Sequence, residues 1–180
     1  MRALVDKKTH FGRAGEFAAM SEFLLRGYNV AIPSVDVGDD RDGATWRVQV
    51  KTGESDDADP GKMSVQYALS RRQLRAEKAS ELFFMFMVRW QDRWRYVLIR
   101  RDQLAEIRDQ FVDAAKLAKK PGRKPVHDVD AVGDALSLVI TWTVDDATGW
   151  GSSFKSFLDW TDKLPRISDG PGSKSPVASR

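Results

Sequence analysis

Three short runs in the N-terminal third hold the side chains best suited to chemistry. They are Gly-Arg-Ala-Gly-Glu-Phe at 12–17, Val-Asp-Val-Gly-Asp-Asp at 35–40 and Gln-Val-Lys-Thr at 49–52. Glu16, Asp36, Asp40 and Gln49 carry the oxygen donors that a hard divalent cation such as Mg²⁺ accepts, in small number, while keeping most of its own waters. On a strand Gln49 and Lys51 point to the same side, because side chains alternate with a period of two. A lysine in that place can orient a metal-activated water or neutralise charge that develops on a phosphate. Together these residue types allow metal-assisted hydrolysis of a phosphodiester. Singly, each has an ordinary reading: a helix-surface carboxylate at Glu16, turn aspartates bonding their own backbone, and the wet face of a strand at Gln49 and Lys51. Order and spacing are what point to chemistry.

The elements that must position them follow from periodicity. Residues 12–26 predict an amphipathic helix with Phe17, Met20 and Leu24 on one stripe, Phe23 widening it and Gly27 ending it. A short strand over 28–32 ends at Pro33, and two more are expected around 34–37 and 45–52, with Asp42-Gly43 suited to a two-residue hairpin turn between them. In the last of these Trp46, Val48 and Val50 share one face, and Arg47, Gln49 and Lys51 the other. That turn would set Asp36 opposite Gln49 and leave Asp40 near the tip.

Downstream, 53–61 reads as a polar loop and 70–79 as a helix capped by Ser70. Residues 82–89 are almost continuously apolar, as in a strand buried on both faces, and Gln91-Asp92 turns the chain into a strand over 94–99. Asp102 is placed to cap a helix over 103–115 with the stripe Leu104, Ile107 and Phe111. A strand over 136–144 and a helix over 152–162 complete the pattern. The fold class is α/β (α+β), with a central mixed sheet flanked by helices and a small C-terminal strand-helix addition.

The run from Gly12 to Thr52 resembles the core of the PD-(D/E)XK nuclease superfamily, and within it the archaeal Holliday junction resolvase-like group. The likeness rests on a Gly-x-x-x-Glu helix start at Gly12 and Glu16, a Gly-aromatic-x-Val strand at Gly27, Tyr28 and Val30, an aspartate opening a hairpin, and a Glu/Gln-x-Lys ending at Gln49-Val50-Lys51. The resemblance implies a restriction-endonuclease-like core and a metal-dependent DNA endonuclease. It makes Glu16 the helix-borne acid beside the metal, Gln49 the strand ligand in place of the usual second acid, and Lys51 the catalytic lysine. The group's spacing beyond the helix favours Asp40 as the hairpin ligand, whereas the hairpin turn favours Asp36; both stay open, with Asp40 ranked first. The ion implied is Mg²⁺ or Mn²⁺, the partner is DNA, and two cuts in a junction need two sites, as in a homodimer. A second reading follows from Gln49 and from the short interval between Asp40 and Gln49. It is a catalytically weakened nuclease fold serving DNA or protein binding.

Composition sets the outer limits. The 180 residues contain no cysteine, which excludes disulfides, thiolate metal sites and cysteine nucleophiles. Net charge is +3, but 36–59 is acidic while 71–75, 89–101 and 116–124 are basic, a division suited to a metal site beside a phosphate-gripping surface. No apolar run reaches the length of a signal peptide or a membrane span, so a cytoplasmic protein without a membrane partner is expected. We divide the chain into a nuclease-like core at 1–115, a basic linker at 116–133, the addition at 134–166 and a disordered tail at 167–180. The six tryptophans are expected to anchor cores and hairpins. His10 and His127 stand apart in sequence and receive no role, and no glycine-rich phosphate loop is present.

Overall fold

The computed structural model describes residues 2–26, 28, 30, 47–54, 61–75, 82–90, 92–117 and 134–159. Along the chain run α1 (Arg2–Leu25), β1 (Arg47–Gly53), β2 (Lys62–Ser70), α2 (Arg71–Arg75), β3 (Leu82–Trp90), β4 (Arg93–Arg100), α3 (Arg101–Leu117), β5 (Ala135–Thr143), β6 (Ala147–Gly149), β7 (Ser152–Ser153) and a 3₁₀ turn at Lys155–Phe157. This is an α+β fold with two sheets. The central one is mixed, in the order β1-β3-β4, with β1 parallel and β4 antiparallel to β3. The other is antiparallel, in the order β2-β5-β6-β7.

Strand β3 explains the layering. Phe83 through Val88 are all buried, as the unbroken apolar run predicts for a strand covered on both sides. Alternation then divides the core. Phe84, Phe86, Val88 and Trp90, with Val97 and Ile99 of β4, meet the second sheet and Leu104 of α3. Phe83, Met85 and Met87, with Tyr96 and Leu98, meet Ala19 and Phe23 of α1. The central sheet therefore lies between α1 on one side and the second sheet with α2 and α3 on the other. Among the described residues no helix is long and apolar enough to cross a membrane.

Several local expectations are corrected. Helix α1 starts at Arg2, well before residue 12. Its buried stripe is Gly15, Ala19 and Phe23, while Phe17 and Leu24 are 56% and 50% exposed. Small residues at i and i+4 let the helix backbone come close to the sheet, and that close approach outweighs the larger side chains of the stripe expected from sequence. Strand β2 is not among the expected elements, although Met63, Val65, Tyr67 and Leu69 alternate as a half-buried strand should.

The helix expected over 152–162 is absent from the described part of that segment. Phe154 is fully buried, Ser153 Oγ donates to Asp146, and Leu158 forms an antiparallel bridge to Val97. The Asp159 N–H bonds to the Tyr96 carbonyl at 2.7 Å and its Oδ1 accepts from the Tyr96 N–H at 3.0 Å. A backbone tied to β4 in this way cannot close helical hydrogen bonds. Strand β5, expected as part of a C-terminal addition, pairs with β2 in an unbroken register from Lys62↔Thr143 to Ser70↔Ala135.

The Ser70 cap holds: Ser70 Oγ accepts the Gln73 N–H at 3.2 Å and so caps α2. Asp102, expected to cap a helix over 103–115, does not do so: α3 begins at Arg101, so Asp102 lies inside its first turn, where its Oδ1 accepts the Gln103 N–H at 2.9 Å. Lys116 and Leu117, expected to open the linker over 116–133, belong to α3; the rest of that linker, the hairpin around 31–46 and the tail lie outside the described residues.

Candidate functional site on strand β1

Strand β1 has two unlike faces, and its neighbours define both. Val48 and Val50 pack with Phe83 and Met85 beneath α1. Thr52 joins them: a Cβ placed on Gly15 of α1 would fall 2.4 Å from Thr52 Oγ1, so helix and strand touch there through the absence of a side chain. The other face carries Gln49, Lys51 and Gly53, in register with Phe84, Phe86 and Val88. It turns toward the second sheet. A Cβ on Gly53 would fall 2.1 Å from Val65 Cγ1 and 3.1 Å from Tyr67 Cε1, so β2 closes this face at its C-terminal end.

Gln49 and Lys51 are thus brought together on one face, both half-buried. The Gln49 Oε1 atom is buried and has no hydrogen-bond donor among the described residues. Leaving a buried acceptor unmet costs about 1–3 kcal/mol. A neutral, hard oxygen in that condition, two residues before a lysine, has the chemistry of a ligand to a hard cation. Nearby, the Tyr67 hydroxyl donates to the Met87 carbonyl at 3.0 Å. Burial raises its pKa far above the ordinary phenol value, and the Trp142 indole partly offsets this without reaching hydrogen-bond geometry. Tyr67 is therefore a fixed neutral pillar and not an acid-base group.

Glu16 is placed differently. It follows Gly15, so it lies one residue from the point where α1 meets Thr52, which itself follows Lys51. Yet α1 covers the Val48–Val50 face, opposite to Gln49 and Lys51. The Glu16 carboxylate accepts from Arg13 at 2.8 Å, both side chains being substantially exposed. Asp36 and Asp40 lie outside the described residues. Among the described residues no group of three or more His, Cys, Asp or Glu is placed to hold a metal.

A second polar assembly, only partly legible in sequence, lies between α2 and α3. Arg71 and Arg75 of α2 and Arg108 of α3 line a small cleft with Leu74, Ala105 and Leu136, and Asp109 is the one acid among its described lining residues. Arg108 is 8% exposed, and its guanidinium carbon stands 5.8 Å from the centre of the Trp150 ring, a cation–π arrangement. Beside the cleft, Asp134 Oδ2 accepts from Ser70 Oγ at 2.5 Å and Oδ1 from the Arg72 N–H at 2.7 Å. The Ser70 bond, followed by the Arg72 amide, holds the Asp134 carboxyl below the ordinary range. The basic run at 71–75 is plain in the sequence, whereas Arg108 sits in a helix of mixed charge and carries no signal there.

Trp90 and Trp142 are buried core anchors, as expected; Trp94 is half-buried against Phe11, with ring centres 5.4 Å apart. Comparison of the chain with models of known protein families, with curated proteins and with solved structures finds no match in any of the three.

Proposed function

We propose that the chain is a divalent-metal-dependent endonuclease that hydrolyses DNA phosphodiester bonds, built on a restriction-endonuclease-like core of the PD-(D/E)XK type. The observation that carries this reading is the buried Gln49 Oε1, which has no donor among the described residues, on the same face of β1 as Lys51. The order helix, Gln-x-Lys strand, then a parallel neighbour strand supports it. Mg²⁺ or Mn²⁺, when bound, lowers the pKa of a water and stabilises charge on the phosphate. Gln49 would offer its amide oxygen to the ion, and Asp40 or Asp36 would supply a carboxylate. The resemblance also gives Glu16 to the ligand set, a role that α1, lying over the reverse face of β1, does not by itself support. Lys51 holds the attacking water or meets the developing negative charge. A second copy of the chain provides the second cut, and the setting is the cytoplasm.

The test is nicking of supercoiled plasmid and cleavage of a four-way DNA junction with Mg²⁺ or Mn²⁺. Activity lost in Lys51→Ala and absent in EDTA supports the proposal. No cleavage by the wild-type protein with either ion, or equal cleavage by Lys51→Ala, overturns it. One observation favours a second reading, a nuclease fold reduced to binding: Glu16 is paired with Arg13 on a helix that covers the opposite face of β1. Titration calorimetry separates the two. A catalytic site takes up Mn²⁺ and loses that heat in Asp40→Ala or Glu16→Ala, whereas a binding module gives no heat with Mn²⁺.

A further inference from the structure

A strand at the end of a sheet presents main-chain N–H and C=O groups with which another chain can pair. The central sheet runs β1-β3-β4, so β4 stands at one end of it. The middle of β4 is a good template for such pairing. Tyr96, Val97, Leu98 and Ile99 are buried, and the run carries no charge. Short uncharged segments of high β-propensity are the ones that associate as strands.

The chain itself occupies that edge. Leu158 forms an antiparallel bridge to Val97. A residue of an added antiparallel strand can exchange two main-chain hydrogen bonds with its partner, one in each direction. Asp159 makes both bonds to Tyr96 by other means. Its N–H donates to the Tyr96 carbonyl at 2.7 Å, and its Oδ1 accepts the Tyr96 N–H at 3.0 Å. A side-chain oxygen thus stands where the main-chain carbonyl of a strand would be. An added strand only moves the open edge outward, because its own far side offers new donors and acceptors. Asp159 has a φ of 48°, a left-handed conformation that leaves the extended path and ends the ladder.

Two anchors hold this strap. Phe154 is fully buried and its N–H donates to the Ala147 carbonyl at 2.6 Å; the 3₁₀ turn at Lys155–Phe157 leads from it to Leu158. On β4, Arg95 Nε donates to Asp159 Oδ2 at 3.1 Å while Nη1 donates to the Thr143 carbonyl of β5 at 2.7 Å. The Arg95 guanidinium carbon also stands 5.7 Å from the centre of the Trp90 ring. Arg95 therefore holds the carboxylate against the Tyr96 amide and ties the strap to both sheets.

We infer that residues 154–159 are an edge guard that keeps β4 from pairing with β4 of a second copy of the chain. The guard goes beyond the endonuclease reading and does not depend on it, since β1 with Gln49 and Lys51 lies at the other end of the sheet order. While the guard is closed, a second copy must attach elsewhere.

The test is sedimentation velocity over a range of protein concentration, with hydrogen exchange followed at the Tyr96 amide. Asp159→Ala removes the Oδ1 acceptor, and Asp159→Pro removes the N–H donor as well and forbids the positive φ. Both variants are expected to form species larger than wild type as concentration rises. In dilute solution their Tyr96 amide should exchange about tenfold faster than in wild type, the scale of one lost hydrogen bond, and regain protection on association. Asp159→Asn keeps Oδ1 and tolerates the left-handed conformation but gives up the charge facing Arg95; it should sediment as wild type does. A labelled peptide of the β4 sequence, residues 93–100, should bind Asp159→Ala and not the wild-type protein.

Folded Ala and Pro variants that sediment as wild type at every concentration overturn the inference. Association that leaves the Tyr96 amide unprotected also overturns it, because the contact is then elsewhere. Asp159→Asn associating as readily as Asp159→Ala makes the Arg95 ion pair the controlling feature, and the edge guard falls. Binding of the β4 peptide to wild-type protein overturns the inference too, a result that is readable even if the variants do not fold. None of these outcomes alters the expected metal-dependent cleavage.

Discussion

The two faces of strand β1 differ in what limits them. Toward α1 the strand offers Val48, Val50 and Thr52, and the packing is governed by volume: Gly15 and Ala19 bring the helix down onto apolar side chains. Toward the second sheet it offers Gln49, Lys51 and Gly53, and Val65 and Tyr67 close the glycine end. On the first face any added methyl group is felt. On the second a buried oxygen has no donor among the described residues, a cost that an apolar residue of similar shape would remove. One strand therefore packs apolar side chains on one side and carries polar ones on the other, which the endonuclease proposal takes as its chemical face. The alternation of strand side chains makes that division possible without any additional element.

The largest expected effect tests the chemical face. Lys51→Ala should lower the rate of metal-dependent plasmid nicking by about 10²-fold or more, the scale of removing one group that stabilises transition-state charge. Its thermal midpoint should stay near wild type. A large fall in melting temperature together with the rate would make Lys51 a packing residue and erase the distinction between the faces.

Next come the close approaches. Gly53→Ala puts a methyl group into Val65 and Tyr67 and should cost about 1–3 kcal/mol, as overpacking does, read by urea denaturation. Gly15→Ala should cost less, because the atoms it meets belong to the side chain of Thr52. Combined with Thr52→Ala it should recover most of the deficit, a coupling that a double-mutant cycle measures.

Gln49 gives a sharper and smaller test. In metal-free buffer Gln49→Leu should be neutral or more stable by about 1 kcal/mol, since it removes an unmet acceptor, while cleavage is abolished. Gln49→Glu should be less stable than wild type without metal and regain stability when Mn²⁺ is added, seen as a metal-dependent melting temperature. A Gln49→Leu variant that unfolds easily would mean that the amide is held by protein partners and is not waiting for an ion.

The smallest effect is acid sensitivity near α2 and α3. Hydrogen bonds from Arg100 to Asp102, and from Ser70 to Asp134, hold both carboxyls below the ordinary value of 3.8. Their folded pKa values are depressed, so the stabilisation is fully present above 3.8 and fades as pH falls through the lower folded values. Ser70→Ala should shrink the fall of melting temperature on acidification below that value, with little change in how stability varies near neutral pH.

What could be read before folding follows a consistent rule. The doubly buried strand β3, the turn at Asp92, the facing of Val48 and Val50 against Gln49 and Lys51, and the Ser70 cap were all legible, because each depends on near neighbours in the chain. The α1 stripe was not, because the helix is placed by what it touches. Phe17 and Leu24 have the right type, but the sheet accepts Gly15 and Ala19. The segment after Trp150 looks helical by composition and is claimed by long-range partners, Asp159 on Tyr96 and Leu158 on Val97.

The sequence by itself determined the alternation along β1, and with it the pairing of an oxygen donor and a lysine on one face. Only the tertiary structure decided that this face looks toward the second sheet, that α1 with Glu16 covers the reverse side, and that Arg108 meets Arg71 and Arg75 across a cleft. The reason is physical. Side-chain direction along a strand is a property of the local backbone, whereas which layer covers which face depends on volumes and charges brought together from distant parts of the chain.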